Sequence, residues 1–130
     1  MSYLITVLLS ALFSLSAFLS IPFSDLEEAF KKGDATTIID QSGEKILLNV
    51  SQKEGVYSSS QATQILKTFF EKNPASSFSF TFKGKEDGTN SFAVGTYVSK
   101  QSYRVSIKFK LKKEKYQIEA ISIVEEAQKE

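Results

Sequence analysis

The 130-residue sequence contains no cysteine and no histidine. Without cysteine the chain cannot form a disulfide bond, a thiolate nucleophile, a cysteine-linked lipid anchor or a cysteine-based metal site. Without histidine it lacks the usual general base near neutral pH and the commonest metal ligand. Any catalysis would therefore have to use carboxylates, lysine, tyrosine or hydroxyl groups, and we expect no cofactor and no metal.

The sequence also lacks a strong excess of one charge. Sixteen lysine and arginine residues against fifteen aspartate and glutamate residues give a formal net charge of +1. Nucleic-acid-binding proteins usually carry a clear basic excess, because neutralising phosphates supplies much of their affinity. A hydrophobic content of 42% and a charged content of 24% are typical of a globular protein. We therefore expect a globular domain and no nucleic-acid partner.

The longest apolar run lies at the N-terminus, where no charged side chain precedes Asp25. Such a run is typical of a secretory signal peptide, and Ser14-Leu15-Ser16 fits the small-x-small pattern of a cleavage site. An uncleaved membrane anchor is the alternative, because about 20 apolar residues can span a bilayer. A buried core helix fits poorly, since the run leaves no polar face. We therefore predict an export segment over residues 1–20, a single domain over residues 21–130, and a periplasmic or envelope-associated protein.

Helices are predicted by their caps and by their apolar spacing. Ser24 is the predicted N-cap of a first helix that Gly33 closes, and Asp34 can cap a short second helix. A longer helix begins after Ser58, which forms a capping box with Gln61. The apolar residues of this longer helix recur at helical spacing: Ala62, Ile65, Leu66, Phe69 and Phe70.

After Pro74 the apolar period changes from 3.6 to 2, which predicts strands. One further strand is predicted earlier, over residues 45–50. A β-bulge around Glu119-Ala120 would bring both halves of the last strand onto the same face, and such bulges bend a sheet. Helices followed by an antiparallel meander predict an α+β fold, with N-terminal helices packed on a curved antiparallel sheet of about four strands.

Phenylalanine is abundant, and seven phenylalanines are predicted to form much of the core: Phe69, Phe70, Phe78, Phe80, Phe82, Phe92 and Phe109. Rings of this size could leave an apolar cavity between sheet and helices, with tyrosine hydroxyl groups as its polar points. The candidate pocket lining is Phe30, Tyr57, Phe69, Phe80, Tyr103 and Tyr116. The alternative is that the tyrosines are core residues whose hydroxyl groups reach the rim.

The most charged stretch covers residues 100–115, which contain seven basic residues and one acid, Glu114. Four of these basic residues are candidates for binding an anionic partner such as polysaccharide or lipid headgroups: Arg104, Lys108, Lys110 and Lys112. The interpretation that we favour is that they form the solvated face of a sheet, where lysines also discourage edge pairing. Because this face is polar and like-charged, we expect a monomer or a weak homodimer.

The order of elements resembles the NTF2-like, cystatin-like cone. More closely, the chain resembles a family of small uncharacterised NTF2-like proteins that bacteria export to the cell envelope. The segments that carry the likeness are "FKKGDATTII", "KEGVYSSSQATQILKTFFEKNP", "VGTYVS", "YRVSIKFKLKK" and "YQIEAISI". These segments contain packing, turn and cap residues and no catalytic motif, so the resemblance implies a fold.

The resemblance also bears on activity. Enzymes of this fold, such as ketosteroid isomerases and small dehydratases, typically place a catalytic carboxylate at the end of the first strand. Here that region is Leu48-Asn49-Val50-Ser51, which contains no acid. The expected function is therefore a non-catalytic binding or scaffolding domain of the envelope, whose ligand would be a small apolar molecule, a peptide or a partner protein. The alternative is an enzyme that uses a tyrosine with a carboxylate such as Glu54.

Overall fold

The computed structural model describes residues 20–127, so the predicted export segment lies almost wholly outside the described residues. The helices are α1 (Phe23–Lys32), α2 (Ala35–Asp40) and α3 (Ser59–Lys72). The strands are β1 (Ser42–Val50), β2 (Lys53–Ser58), β3 (Ser77–Lys83), β4 (Asn90–Val98), β5 (Ser102–Lys112) and β6 (Lys115–Glu125). Within residues 20–127, no helix is both long enough and apolar enough to cross a bilayer.

The cap signals mark most helix ends correctly. Ser58 and Gln61 form the predicted capping box, in which each side chain bonds the backbone of the other residue. The predicted N-cap at Ser24 is wrong, because α1 already begins one residue earlier. The carbonyl of Pro22 accepts the first helical hydrogen bond from the amide of Leu26 at 3.0 Å, and no side chain caps the helix. Pro22 occupies the N-cap position, where its missing amide hydrogen costs the helix no hydrogen bond.

The strands form one six-stranded sheet in the order β2-β1-β6-β5-β4-β3. Neighbouring strands are antiparallel, except that β1 and β6 are parallel. The predicted sheet of about four strands was therefore too small. β2 is an edge strand in which Gly55 and Tyr57 are partly buried and the other residues are exposed, so its sequence shows little alternation of apolar and polar residues. β1 joins the sheet through β6, a strand far away in the sequence.

The predicted bulge in β6 is present. Two consecutive residues of β5 face Ala120 and Ile118, which leaves Glu119 as the extra residue. This extra residue reverses the alternation, so that Ile118 and Ile121 both face the core. The sequence-based prediction of this bulge is confirmed.

A second bulge, in β3, was not predicted. Phe80 and Phe82 face consecutive residues of β4, which leaves Thr81 as the extra residue. Phe82 consequently lies on the outer face of the sheet and is 48% exposed, and Phe92 has the outward parity of β4 and is 50% exposed. The prediction that these two rings belong to the core is wrong. The other five phenylalanines are buried or packed against the core: Phe69, Phe70, Phe78, Phe80 and Phe109.

Aromatic rings fill the space between the helices and the inner face of the sheet. Phe30 of α1 stacks on Phe78 of β3 with ring centroids 4.7 Å apart. Phe30 also meets Phe70 of α3 edge-on at 5.9 Å. Each fully buried side chain of this kind contributes about 1.5–3 kcal/mol to stability through the removal of apolar surface from water. The inner face is thus a packed core.

Candidate functional site

A cleft of about 480 Å³ opens where β1 separates from β6. Ser42 pairs with Ile118, and the next pair is Leu47 with Ala120. Between these two pairs β1 advances by five residues and β6 by two. The surplus residues of β1 arch away from β6 and leave a gap. We call it the β1–β6 cleft, and its lining is Gly43, Glu44, Lys45, Lys110, Lys112, Gln117, Ile118 and Glu119.

Hydrogen bonds to two backbone carbonyls hold the arch of β1 in place. The hydroxyl group of Ser59, at the start of α3, donates to the carbonyl of Gly43 at 3.0 Å. The amide of Ile118 donates to the carbonyl of Gln41 at 2.8 Å. A β-carbon at Gly43 would lie only 3.0 Å from Oε1 of Gln117. This oxygen is the end of a flexible side chain that packs against the arch.

The charges of the β1–β6 cleft are unequal. Lys45, Lys110 and Lys112 line it together with Glu44 and Glu119. Within the described part of the chain, the ion pairs that form both lie in α1, and none involves a residue of the cleft. A lysine without an ion-pair partner can form charge-assisted hydrogen bonds with carboxylate or phosphate oxygens. With three lysines against two glutamates, the lining keeps a surplus of one positive charge, which favours an anionic group over a cationic one. The described residues contain no acidic cluster that could hold a metal ion.

The four cationic candidates do not form one site. Lys110 and Lys112 line the β1–β6 cleft. Lys108 lies directly opposite Phe92 of β4. Arg104 lines a separate cleft near the end of β6. The structure thus divides the predicted patch into a cleft, a lysine beside an aromatic ring, and an arginine at a distance from both.

The candidate pocket residues are spread over several parts of the described structure. Phe30 and Phe80 both pack against Phe78, with ring centroids 4.7 and 5.1 Å away. Phe69 of α3 meets Tyr103 of β5 edge-on at 5.1 Å. These four candidates pack into the core or against its edge, where they contact other protein rings.

Two of the three candidate tyrosines donate their hydroxyl groups to other parts of the protein. Tyr103 donates to Oδ1 of Asn73 at 3.1 Å. Tyr116 donates to the carbonyl of Gly88, in the β3–β4 loop, at 2.6 Å. Tyr57 is half-buried on β2. The hydroxyl groups of Tyr103 and Tyr116 therefore connect loops and helix ends to strands.

Tyr97 of β4 is fully buried, and its hydroxyl group donates to the backbone carbonyl of Asn73. Burial, with a smaller effect from Tyr103, raises the pKa of Tyr97 to about 12. Burial and the nearby Glu125 carboxylate raise the pKa of Tyr103. Both shifts favour the protonated phenol, so neither residue supplies a phenolate base near neutral pH. Glu54 lies exposed on β2, separated from β5 by β1 and β6.

Sequence reasoning missed an exposed aromatic pair on the outer face. The rings of Phe82 and Phe92 stack with centroids 4.9 Å apart and an interplanar angle of 24°. Each ring is about half exposed. The spacing of Phe92 and Tyr97 is odd, so an unbulged strand must place them on opposite faces. The odd spacing could therefore have indicated that Phe92 faces outward if Tyr97 faces the core. Nothing in the sequence marks the bulge that turns Phe82 outward.

Comparisons with known proteins agree with this architecture. Residues 23–124 match the family described as Domain of unknown function (DUF4783). A DUF4783 family protein from Bacteroides uniformis superposes with a TM-score of 0.76 and 24% identity, covering 84% of this chain and 100% of that chain. A second, from Bacteroides fragilis, has a TM-score of 0.74 and 29% identity, covering 82% and 100%. No curated protein matches the chain.

A more distant likeness identifies the fold. An NTF2-like protein of unknown function from Shewanella baltica superposes with a TM-score of 0.61 and 13% identity, covering 81% of this chain and 88% of that chain. At this identity the likeness shows the fold alone. The predicted NTF2-like fold is thereby confirmed, with six strands where about four were expected.

Proposed function

The chain belongs to the DUF4783 family, and on that premise we propose that it is a non-catalytic binding domain of the cell envelope. The apolar run before Asp25 supports export, as a cleaved signal or as an anchor. In this proposal the domain binds a peptide or a partner protein, and an acidic group of that partner occupies the β1–β6 cleft.

The unpaired lysines of the β1–β6 cleft are the observation that carries this proposal. Lys45 comes from β1, and Lys110 and Lys112 come from β5, so strands on both sides of β6 direct cations at one gap. The hydrogen bond of Ser59 to Gly43 holds the β1 side of that gap. Charge-assisted hydrogen bonds from two sides would fix the position of a carboxylate or phosphate group.

The packed interior supports binding outside the core over carriage of a small apolar molecule. Phe30 and Phe78 are fully buried and stacked on each other. The hydroxyl groups of Tyr97 and Tyr103 are bonded to Asn73. The enzyme alternative, a tyrosine with a carboxylate, gains no support from these tyrosines, because their pKa values are raised.

Native mass spectrometry tests the proposal on the full chain recovered from the envelope fraction of its own cells. The test variant is Lys45→Gln with Lys112→Gln, which removes two cations from the cleft. The matched control is Lys67→Gln with Lys72→Gln, two exposed lysines on α3. Each charged hydrogen bond contributes about 1.5–3 kcal/mol, so the test variant should bind its partner at least about tenfold more weakly. The control should bind normally.

Two results would overturn the proposed function. One is that the test variant and the control bind the partner equally well, at both low and high salt. The other is a small apolar molecule that stays bound to both variants, which would place the ligand in the core.

A further inference from the structure

We propose that the exposed aromatic pair, Phe82 with Phe92, seats the domain on the surface of an anionic lipid bilayer. This inference goes beyond the proposed function, because it assigns a partner to a different part of the outer face. The β1–β6 cleft does not have to bind anything for the aromatic pair to act in this way.

The geometry of the aromatic pair suits a membrane interface. The two rings stack on each other at 4.9 Å and remain about half exposed, on the face of the sheet opposite the core. A single exposed apolar side chain is ordinary on a protein surface. Two stacked rings instead form a compact apolar projection. Amphipathic helices that lie in the headgroup region of a bilayer combine phenylalanine with lysine, and this sheet surface presents the same two groups.

One side of the aromatic pair on the outer face is formed by lysines of β5. Lys108 lies directly opposite Phe92, and Lys110, which also lines the β1–β6 cleft, lies opposite Asn90, two residues further along the same face. Both lysines are exposed, and no described residue forms an ion pair with either of them. Each lysine near an anionic membrane surface contributes about 1 kcal/mol of attraction. These cations would meet lipid phosphates while the rings enter the interface.

The path of the chain brings its apolar N-terminal run to this end of the sheet. The amide of Ile21 donates to the Glu86 carboxylate, in the β3–β4 loop, at 3.1 Å. The ring of Phe23 contacts Phe80 at 5.5 Å, two residues before Phe82. Lys83 places its Nζ 5.6 Å from the centre of the same Phe23 ring. The run over residues 1–20 therefore joins the domain beside the end of β3 that carries the aromatic pair.

The point at which the apolar run joins the domain favours a bilayer over an acidic polymer as the partner. An acidic polysaccharide could bind the same lysines, but it would have no reason to favour this end of the sheet. A run of about 20 apolar residues can lie in a bilayer, and it would hold the end of β3 close to the headgroups. Two acids of the β3–β4 loop oppose the attraction of the lysines to an anionic bilayer. Glu86 is bonded to the Ile21 amide, and Asp87 is exposed.

Fluorescent labelling of the full chain tests this orientation. Because the sequence has no cysteine, an Asn90→Cys variant can be labelled at one site beside the aromatic pair. A Lys100→Cys variant carries the same environment-sensitive label at the opposite end of β4, as a control. Both are reconstituted into phosphatidylcholine vesicles with or without phosphatidylglycerol. The Asn90 label should shift to the blue and be quenched by a lipid-bound quencher, more strongly with phosphatidylglycerol, whereas the Lys100 label should remain in water.

Substitutions then assign the effect to the aromatic pair. Phe82→Ser with Phe92→Ser, in the Asn90→Cys chain, should abolish the blue shift. Val56→Ser with Val124→Ser removes exposed apolar side chains elsewhere and should preserve it. Circular dichroism checks that both variants remain folded.

Several outcomes would overturn the bilayer proposal. A shift that survives loss of both rings, or equal shifts at the Asn90 and Lys100 labels, would show that the aromatic pair does not seat the domain. The absence of any shift at Asn90 would do the same. A blue shift already present without vesicles would mean that another part of the chain covers the pair. A response to acidic polysaccharide as large as that to vesicles would assign the surface to a polymer.

Discussion

The hydroxyl group of Tyr97 donates a hydrogen bond to the backbone carbonyl of Asn73, the residue at which α3 ends. The side chain of Asn73 in turn accepts from Tyr103 at 3.1 Å and donates to the carbonyl of Phe69 at 3.1 Å. A single residue at the C-terminus of α3 is thus bonded to two neighbouring strands, β4 and β5. These bonds fix α3 relative to the sheet.

Replacing Tyr97 by phenylalanine should destabilise the fold. The substitution keeps the ring but leaves a shielded carbonyl without its donor, which costs about 1–3 kcal/mol. Urea unfolding of the full chain would measure this loss. Tyr116→Phe is the matched control, because its hydroxyl group bonds the carbonyl of the exposed Gly88, which water can then solvate. A loss at Tyr97 no larger than that at Tyr116 would contradict the structural role of the bond.

The same tyrosine predicts an alkaline pH dependence of stability. The pKa of Tyr97 rises from 10.0 to about 12 on folding, because the phenol is buried. Above pH 10 the unfolded chain releases a proton that the folded chain keeps, so the free energy of unfolding should fall as the pH rises towards 12. Unfolding curves measured across this range should show a steeper fall for the unsubstituted chain than for Tyr97→Phe. Parallel curves would mean that Tyr97 does not contribute.

Gly95 should tolerate no side chain. A β-carbon there would lie 2.6 Å from the ring of Phe78 and 3.0 Å from the carbonyl of Ser79. Gly95→Ala should therefore cost about 1–3 kcal/mol through overpacking. Gly88→Ala is the control, since its nearest neighbour, the carbonyl of Asn90, is 3.7 Å away. Equal midpoints of denaturation for the two variants would count against the close packing of β3 on β4.

The cap of α2 should depend on Asp34. Its carboxylate accepts from the amide of Thr37 at 3.2 Å and from the hydroxyl group of the same residue at 2.7 Å. Loss of such a cap in Asp34→Ala should lower the free energy of unfolding by about 1 kcal/mol at neutral pH. Asp40→Ala, at the other end of α2, should leave stability unchanged or slightly higher, because a carboxylate there opposes the helix dipole.

Acid should abolish the difference between the native chain and Asp34→Ala. The hydroxyl and amide hydrogen bonds from Thr37 lower the pKa of Asp34 below 3.8. As the pH falls below that value, the unfolded chain takes up a proton that the folded chain resists, so the contribution of the cap is lost. Urea titrations at neutral and acid pH would measure this, and a difference that stays constant would argue against the cap.

The turn between β1 and β2 should be improved by glycine. Ser51 and Gln52 have φ angles of 54° and 67°, which are unfavourable for residues with a side chain. Relief of the left-handed conformation is worth about 1–2 kcal/mol, and the added freedom of glycine in the unfolded chain costs about 0.4–1 kcal/mol, so Gln52→Gly should add about 0.5–1 kcal/mol. Gln41→Gly is the control, because its φ of −81° gives glycine no advantage, and it should lose stability. Thermal unfolding followed by circular dichroism should show opposite shifts for the two variants.

Local signals in the sequence determined much of this fold. The capping box of Ser58 with Gln61, the apolar spacing of α3 and the bulge at Glu119 were all predictable. Each depends on residues within a few positions of one another, where helix and strand geometry fix which side chains share a face. The absence of cysteine and histidine likewise limited the possible chemistry without any structure.

Only the tertiary structure decided which surfaces could bind. The β1–β6 cleft exists because strands distant in sequence pair with unequal numbers of residues. Phe82 is exposed because one extra residue, Thr81, reverses which side chains of β3 face outward. Tyr97 became buried because α3 ends at Asn73, within reach of β4. Contacts of this kind depend on the register between distant segments, and a change of one residue in that register exchanges the inner and outer faces of a strand.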